Sequence, residues 1–174
     1  SALFLTGLGM LYSGTGRLAK AEEVLQEALE LDADHHEALI WLGSVRQQQR
    51  MFDEAVIYVE KAVLARDPPE LALLGFLGNA YAMAGRMDDA RDVLIRMRQV
   101  HDEGAASHLW FAQIHAALGE VDEAFAELDK AVAAREAWLP NLRFDPGLVQ
   151  IRDDPRFVEV HRKMGLGHVD LSVR

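Results

Sequence analysis

The sequence predicts an all-α fold, an α-solenoid of about four helix–turn–helix repeats finished by a C-terminal capping helix. Three observations predict it: small and apolar residues recur every 34 or 35 positions, helix breakers are scarce, and acidic pairs return at the same place in successive units. Ala21, Ala55, Ala90 and Ala124 fall in register, at separations of 34, 35 and 34. Seven positions later stand Ala28, Ala62, Met97 and Ala131. Twelve positions before the first set lie Gly9, Gly43, Gly78 and Ala112, preceded by Leu8, Leu42, Leu77 and Phe111. Tyr12, Arg46, Tyr81 and His115 form a further column, and Gly16, Arg50, Gly85 and Gly119 mark a turn. Of five prolines, Pro140, Pro146 and Pro155 lie near the C-terminus, so the repeated region is broken only at Pro68-Pro69.

Each unit reads as two helices. The first carries apolar residues at helical spacing, as at Leu39 and Leu42, and ends at the turn column. The second opens on Asp53-Glu54, Asp88-Asp89 or Asp122-Glu123, where negative charge complements the positive end of the helix dipole. Small residues recur where the helices of a pair approach, which predicts that Gly9 faces Ala21 and that the contact returns in the next units.

A 34-residue unit with Leu-Gly-x-x-Tyr in its first helix and Ala-x-x-x-Leu/Val-x-x-Ala in its second resembles the tetratricopeptide repeat. Units 2–35, 36–69, 71–104 and 105–138 then make up a region 1–138. The early Trp column of that family holds Leu5, Leu39, Leu74 and His108 here, and the closing proline is present only as Pro68. The resemblance implies a right-handed superhelix whose first helices line a concave peptide-binding groove.

Residues 139–166 read as a capping segment, with a helix near 154–164. Asp154 is an N-cap, Pro155 occupies the first helical position, Phe157, Val160, His161 and Met164 make one face, and Gly165 ends it. Such a helix covers an apolar side that the last repeat would otherwise expose. Residues 167–174 are expected to be a flexible tail. The run Phe144-Asp145-Pro146 through Asp154-Pro155-Arg156-Phe157 to Met164-Gly165 also resembles the closing segment of repeat arrays in bacterial signalling proteins, which implies a larger regulatory context.

Composition narrows the chemistry. The 174 residues are 50% hydrophobic and contain no cysteine, which excludes disulfides, thiolate metal sites and a cysteine nucleophile. A formal net charge of -10 repels phosphate backbones and anionic lipid, so neither a nucleic acid nor a membrane is expected as partner. The apolar opening from Ala2 to Tyr12 has no basic residue before it and is shorter than the ~20 residues a membrane helix requires. A chain starting at Ser1 without Met is expected to be a fragment or a processed product, and a cytoplasmic location is expected from the visible sequence.

No catalytic residue is expected, and no cofactor or metal. Gly7, Gly9, Gly14 and Gly16 lack the Gly-Lys-Ser/Thr ending of a phosphate loop. Paired acids such as Asp88-Asp89 recur at helix starts, as dipole complements do. His101, His108 and His115 are seven apart, too far for ligands on one helix, and read as packing residues.

The expected function is protein–protein interaction, with a peptide or partner domain held in the groove. The resemblance implies that the groove is lined by Thr6, Met10 and Ser13 in the first unit, and by Ile40, Trp41, Ser44, Gln47 and Gln48 in the second. Phe76, Asn79 and Met83 follow in the third, and Leu109, Trp110 and Gln113 in the fourth. Rings bury a peptide's side chains, and amides satisfy its backbone. Thr6, Met10, Trp41, Ala72 and Phe76 stand where chaperone-adaptor repeats carry a Lys/Arg clamp, so acidic chaperone C-termini are not expected ligands. The alternative is a homodimer formed through the apolar first helix, at Leu3, Phe4, Leu8 and Leu11.

Overall fold

The computed structural model describes residues 1–66, 69–100, 108–137 and 139–165, and all side chains there except those of residues 100, 141, 144 and 146. Pro68, His101 and the expected tail at 167–174 lie outside the described residues. Among the described residues every regular element is helical, as the sequence predicts. The helices are α1 (Ala2–Gly14), α2 (Leu18–Leu31), α3 (His36–Gln48), α4 (Phe52–Leu64), α5 (Leu71–Met83), α6 (Met87–Val100), α7 (His108–Leu118), α8 (Val121–Ala134) and α9 (Pro155–Lys163). Short 3-10 helices occupy Leu139–Phe144 and Pro146–Ile151.

The first helices α1, α3, α5 and α7 all stop in the same way. Gly16, Arg50, Gly85 and Gly119 adopt φ of 73, 63, 77 and 77°. The next residue's N–H then reaches back to the carbonyl of Tyr12, Arg46, Tyr81 or His115, at 2.8–2.9 Å. The turn residue itself donates to Ser13, Gln47, Ala82 or Ala116, at 2.9–3.1 Å. This is a Schellman closure, which needs a left-handed residue and therefore favours glycine. Two of the sequence columns are the two ends of that one pattern.

The second helices begin differently. Arg17, Met51 and Glu120 precede α2, α4 and α8 without capping them through a side chain. Asp53 and Glu54, Asp88 and Asp89, and Asp122 and Glu123 sit in the first turns of α4, α6 and α8. Their charge offsets the uncapped N–H groups; α2 has no such acid.

The chain divides into two compact units, Ser1–Val93 and Leu94–Arg174. In the first, α1 packs on α2 and α3 on α4, α2 lies against α3, and α4 against α5. The first helices also touch one another, α1 with α3 and α3 with α5. Close approach rests on glycine, as expected, but the first atoms met belong to a larger residue than the alanine column. A Cβ on Gly9 would meet Leu25 first, and one on Gly43 would lie 2.7 Å from Cγ2 of Val59, the residue in register with Leu25, and 3.3 Å from the carbonyl oxygen of Ala55, the counterpart of Ala21. Helical side chains lean toward the N-terminus, so Leu25 covers the surface over Ala21.

In the second unit α7 packs on α8, the 3-10 helix at Pro146–Ile151 lies against α7, and α9 lies against α8. Phe157 and Val160 of α9 join Leu128, Leu142, Leu148 and Ile151 in one apolar cluster. The Asp154 carboxylate accepts from the N–H of Arg156 at 2.9 Å, with Pro155 opening the helix and Gly165 beyond its end at φ 80°. The N-terminus of α7 is capped from a distance. Buried Glu136 accepts from the backbone N–H of His108 at 2.9 Å and of Leu109 at 3.2 Å.

Candidate functional site

The expected groove residues of the first unit lie on α1, α3 and α5, and these helices are nearly free of charge. α1 and α5 carry no Asp, Glu, Lys or Arg, and α3 carries only Glu37 and Arg46. Arg46 is buried and its charge is turned away onto the second helices. Its Nη2 lies 2.7 Å from Oε1 of Glu22, and its Nη1 donates to Oε2 of Glu22 at 2.8 Å and to Oε1 of Gln49 at 2.7 Å. Its Nε lies 3.0 Å from Glu54. The bidentate guanidinium holds the Glu22 carboxyl below its ordinary range. Tyr81 is in register with Arg46 and also faces a second helix, donating to Oε1 of Glu60 at 2.8 Å with Arg86 stacked 4.2 Å from its ring centre. Burial, then the Glu60 bond, pushes its phenol up to about 12.

Polar groups that remain join the first helices to one another. Gln48 Nε2 donates to Oγ of Ser13 at 2.7 Å, linking α3 to α1. Gln47 Nε2 donates to Oδ1 of Asn79 at 3.0 Å, linking α3 to α5. Around these links Met10 and Gln48 are exposed, while Trp41, Ser44, Gln47, Phe76 and Met83 are half-buried. Trp41, partly buried, packs against the apolar cluster that contains Leu25 and Leu42. Ile40 and Asn79 are buried, as are Thr6 and Ser13.

The second unit treats its groove positions differently. Trp110 is half-buried, whereas Leu109 and Gln113 are buried. Gln113 Nε2 donates to Oδ2 of Asp145 at 2.7 Å, and Gly147 is so close that a Cβ there would lie 2.8 Å from Cγ of Gln113. Asp145 also accepts from the N–H of Gly147 at 2.8 Å, and Arg152 donates to its backbone oxygen at 2.9 Å. Burial lifts the Asp145 carboxyl above its ordinary range. The segment after α8 thus covers the Gln113 face of α7. Sequence reasoning missed this contact: the Asp145-Pro146-Gly147 run marks a turn but not its partner on α7.

Both described histidines of the seven-residue series face carboxylates. His108 Nδ1 is 2.8 Å from Oε2 of Glu127, and His115 Nδ1 is 2.7 Å from Oε2 of Glu120. Burial would raise Glu127, but hydrogen bonds from Lys130 and His108 outweigh it and hold the carboxyl low. Among the described residues no group of three or more His, Asp or Glu side chains could hold a metal ion. None of the described helices is long and apolar enough to cross a membrane. Leu3, Phe4 and Leu11 of α1 are exposed and Leu8 is half-buried.

Shallow depressions occur on α2, walled by Glu22, Glu23, Glu27 and Glu30, and at the α3–α4 turn around Arg50 and Phe52. Neither includes a groove residue.

Comparison with solved structures places this arrangement. TTC0263, a thermophilic TPR protein in Thermus thermophilus, is 25% identical over 95% of this chain and 84% of its own, with a TM-score of 0.65. YrrB, a TPR protein with an unusual peptide-binding site, is 20% identical over 97% of this chain and 90% of its own, with a TM-score of 0.55. MamA AMB-1 is 17% identical over 96% and 84%, with a TM-score of 0.52. Among curated protein sequences none matches the chain. The tetratricopeptide-repeat family model matches residues 6–70, 52–99 and 77–137. The chain therefore belongs to the tetratricopeptide-repeat family, whose fold is an α-solenoid serving protein–protein interaction.

Proposed function

We propose that the layer formed by α1, α3 and α5 binds an extended, largely uncharged stretch of another polypeptide. The observation that carries this reading is an uncharged face inside a chain of net charge -10, with Met10, Trp41, Phe76 and Met83 set around the Ser13–Gln48 and Gln47–Asn79 links. An extended peptide brings unpaired backbone N–H and C=O groups that must be satisfied on burial. Each glutamine amide has two N–H groups and an oxygen, more capacity than the one bond described for Gln47 or Gln48 uses. The rings and thioethers supply apolar contact that adapts to several side chains. YrrB lends support as a protein of this fold with a peptide-binding site. The likeness of the closing segment to that of bacterial signalling arrays favours a regulatory setting.

Selection of random displayed peptides against the intact chain tests the reading. The selected peptides are expected to be rich in apolar and aromatic residues and poor in acids. Trp41→Ala is expected to weaken them by about thirtyfold or more, the scale of one lost interface anchor. Equal capture by wild type and the variant would refute it.

A further inference from the structure

One turn of the array carries a residue that its backbone disfavours. Gly16, Gly85 and Gly119 close their first helices at positive φ, but the same place after α3 holds Arg50, at φ 63°. A side chain in this left-handed region crowds its own backbone, and glycine avoids the strain. No ion pair holds Arg50 there. Arg46, Arg66, Arg86 and Arg91 of the first unit all lie against carboxylates, whereas Arg50 is exposed and has no carboxylate partner among the described residues. Its guanidinium instead sits 6.0 Å from the centre of the Phe52 ring. Backbone strain that so loose a contact does not offset points to a use of the side chain outside the fold.

The surroundings define that use. Arg50, Met51, Phe52, Asp53 and Glu54 wall a depression at the α3–α4 turn, together with Ala84 at the end of α5. Met51 is 40% exposed and Phe52 half-buried, so a thioether and part of a ring are open to a partner. Arginine, methionine and aromatic residues are the types enriched at protein interfaces. The guanidinium keeps its fork of N–H donors for a planar, bidentate anion, which a carboxylate is. Asp53 limits the charge of the occupant. It is exposed, while Glu54 lies 3.0 Å from the guanidinium of Arg46. A dianionic phosphate or a run of acids meets more repulsion from Asp53 than one carboxylate does.

We infer that the α3–α4 turn docks a short partner segment carrying a single Asp or Glu beside a large apolar side chain. The carboxylate is held by Arg50 and the apolar group by Met51 and Phe52. The site shares no residue with the first-helix layer, so it stands or falls separately from the peptide reading.

Random displayed peptides selected on the full chain and counter-selected on Arg50→Gly test the inference, with one recovered peptide measured by fluorescence anisotropy. The recovered peptides are expected to carry one acid next to Leu, Met or an aromatic residue. Arg50→Gly is expected to weaken the measured peptide about tenfold or more, the scale of a charge-assisted hydrogen bond. Its unfolding midpoint is expected to stay level or rise, so that lost binding is not lost folding. Arg50→Lys keeps the charge without the bidentate fork and is expected to fall between the two. Trp41→Ala is expected to bind as wild type does, and inorganic phosphate is expected not to compete. Failure to recover peptides that need Arg50, recovered peptides without an acid, competition by phosphate, or an equal loss in Trp41→Ala would each overturn the proposal.

Discussion

Replacing Gly43 with alanine sets two effects of known sign against each other. In a helix interior alanine is favoured over glycine by about 1 kcal/mol. At Gly43, however, the new methyl would lie 2.7 Å from Cγ2 of Val59 and 3.3 Å from the carbonyl oxygen of Ala55. Val59 is buried and β-branched, so it has no spare rotamer, and the Ala55 oxygen belongs to the backbone. Overpacking of this kind costs roughly 1–3 kcal/mol. The clash should win, leaving Gly43→Ala destabilised by roughly 1 kcal/mol in urea unfolding with an unchanged m-value. Gly7 is the control. Its added methyl meets nothing, so Gly7→Ala should stabilise the monomer by up to about 1 kcal/mol when measured dilute. Val59→Ala alone opens a cavity and costs roughly 2 kcal/mol, but adding Gly43→Ala refills it, so the pair should be no worse than Val59→Ala. If the two substitutions simply add, the close approach of α3 and α4 is misplaced.

Further outcomes follow from the same structure. Arg50 is a non-glycine residue at φ 63°; Arg50→Gly should be neutral to mildly stabilising, whereas Arg50→Val should lower stability by about 1–2 kcal/mol in thermal unfolding. Arg46→Leu strips Glu22 and Glu54 of their shared cation and should cost roughly 2–3 kcal/mol, less than a fully buried pair because both carboxylates touch solvent. The lowered Glu22 carboxyl contributes stability above its unfolded range and loses it as pH falls through its folded range, so this variant should also show a flatter acid limb in pH-dependent unfolding. The raised phenol of Tyr81 acts in the opposite direction: stability present below pH ~10 is lost as pH rises toward about 12, and Tyr81→Phe should blunt that alkaline loss. A peptide ending in a run of acidic residues should show no binding by calorimetry, since the first helices offer no free clamp of basic side chains in α1 or α5.

Much of the fold was legible because it is written locally. A Schellman turn places glycine and the residue four before it at fixed offsets, so Gly16, Gly85 and Gly119 announce the end of a first helix from sequence alone. Acidic pairs do the same for helix starts. What could not be read depends on contacts far apart in the chain. The Arg46–Glu22 pair spans 24 residues, the Glu136 cap on α7 spans 28, and the Gln113–Asp145 bond spans 32. No local pattern marks such partners. The candidate site was legible as positions on first helices, but sequence could not tell that Asp145 engages Gln113 while Gln47 and Gln48 stay near the surface. Nor could it tell that Leu25 is the residue a side chain at Gly9 would meet first, because spacing shows which residues are small and not which neighbour reaches over them.

The most direct test of the peptide-binding account is nuclear magnetic resonance mapping of a selected peptide on the isotope-labelled chain. The account predicts that the side-chain amide signals of Gln47 and Gln48 and the indole N–H of Trp41 move most, along with backbone signals of α1, α3 and α5. Shifts confined to α2 and α4, with those amide and indole signals unmoved, would contradict it.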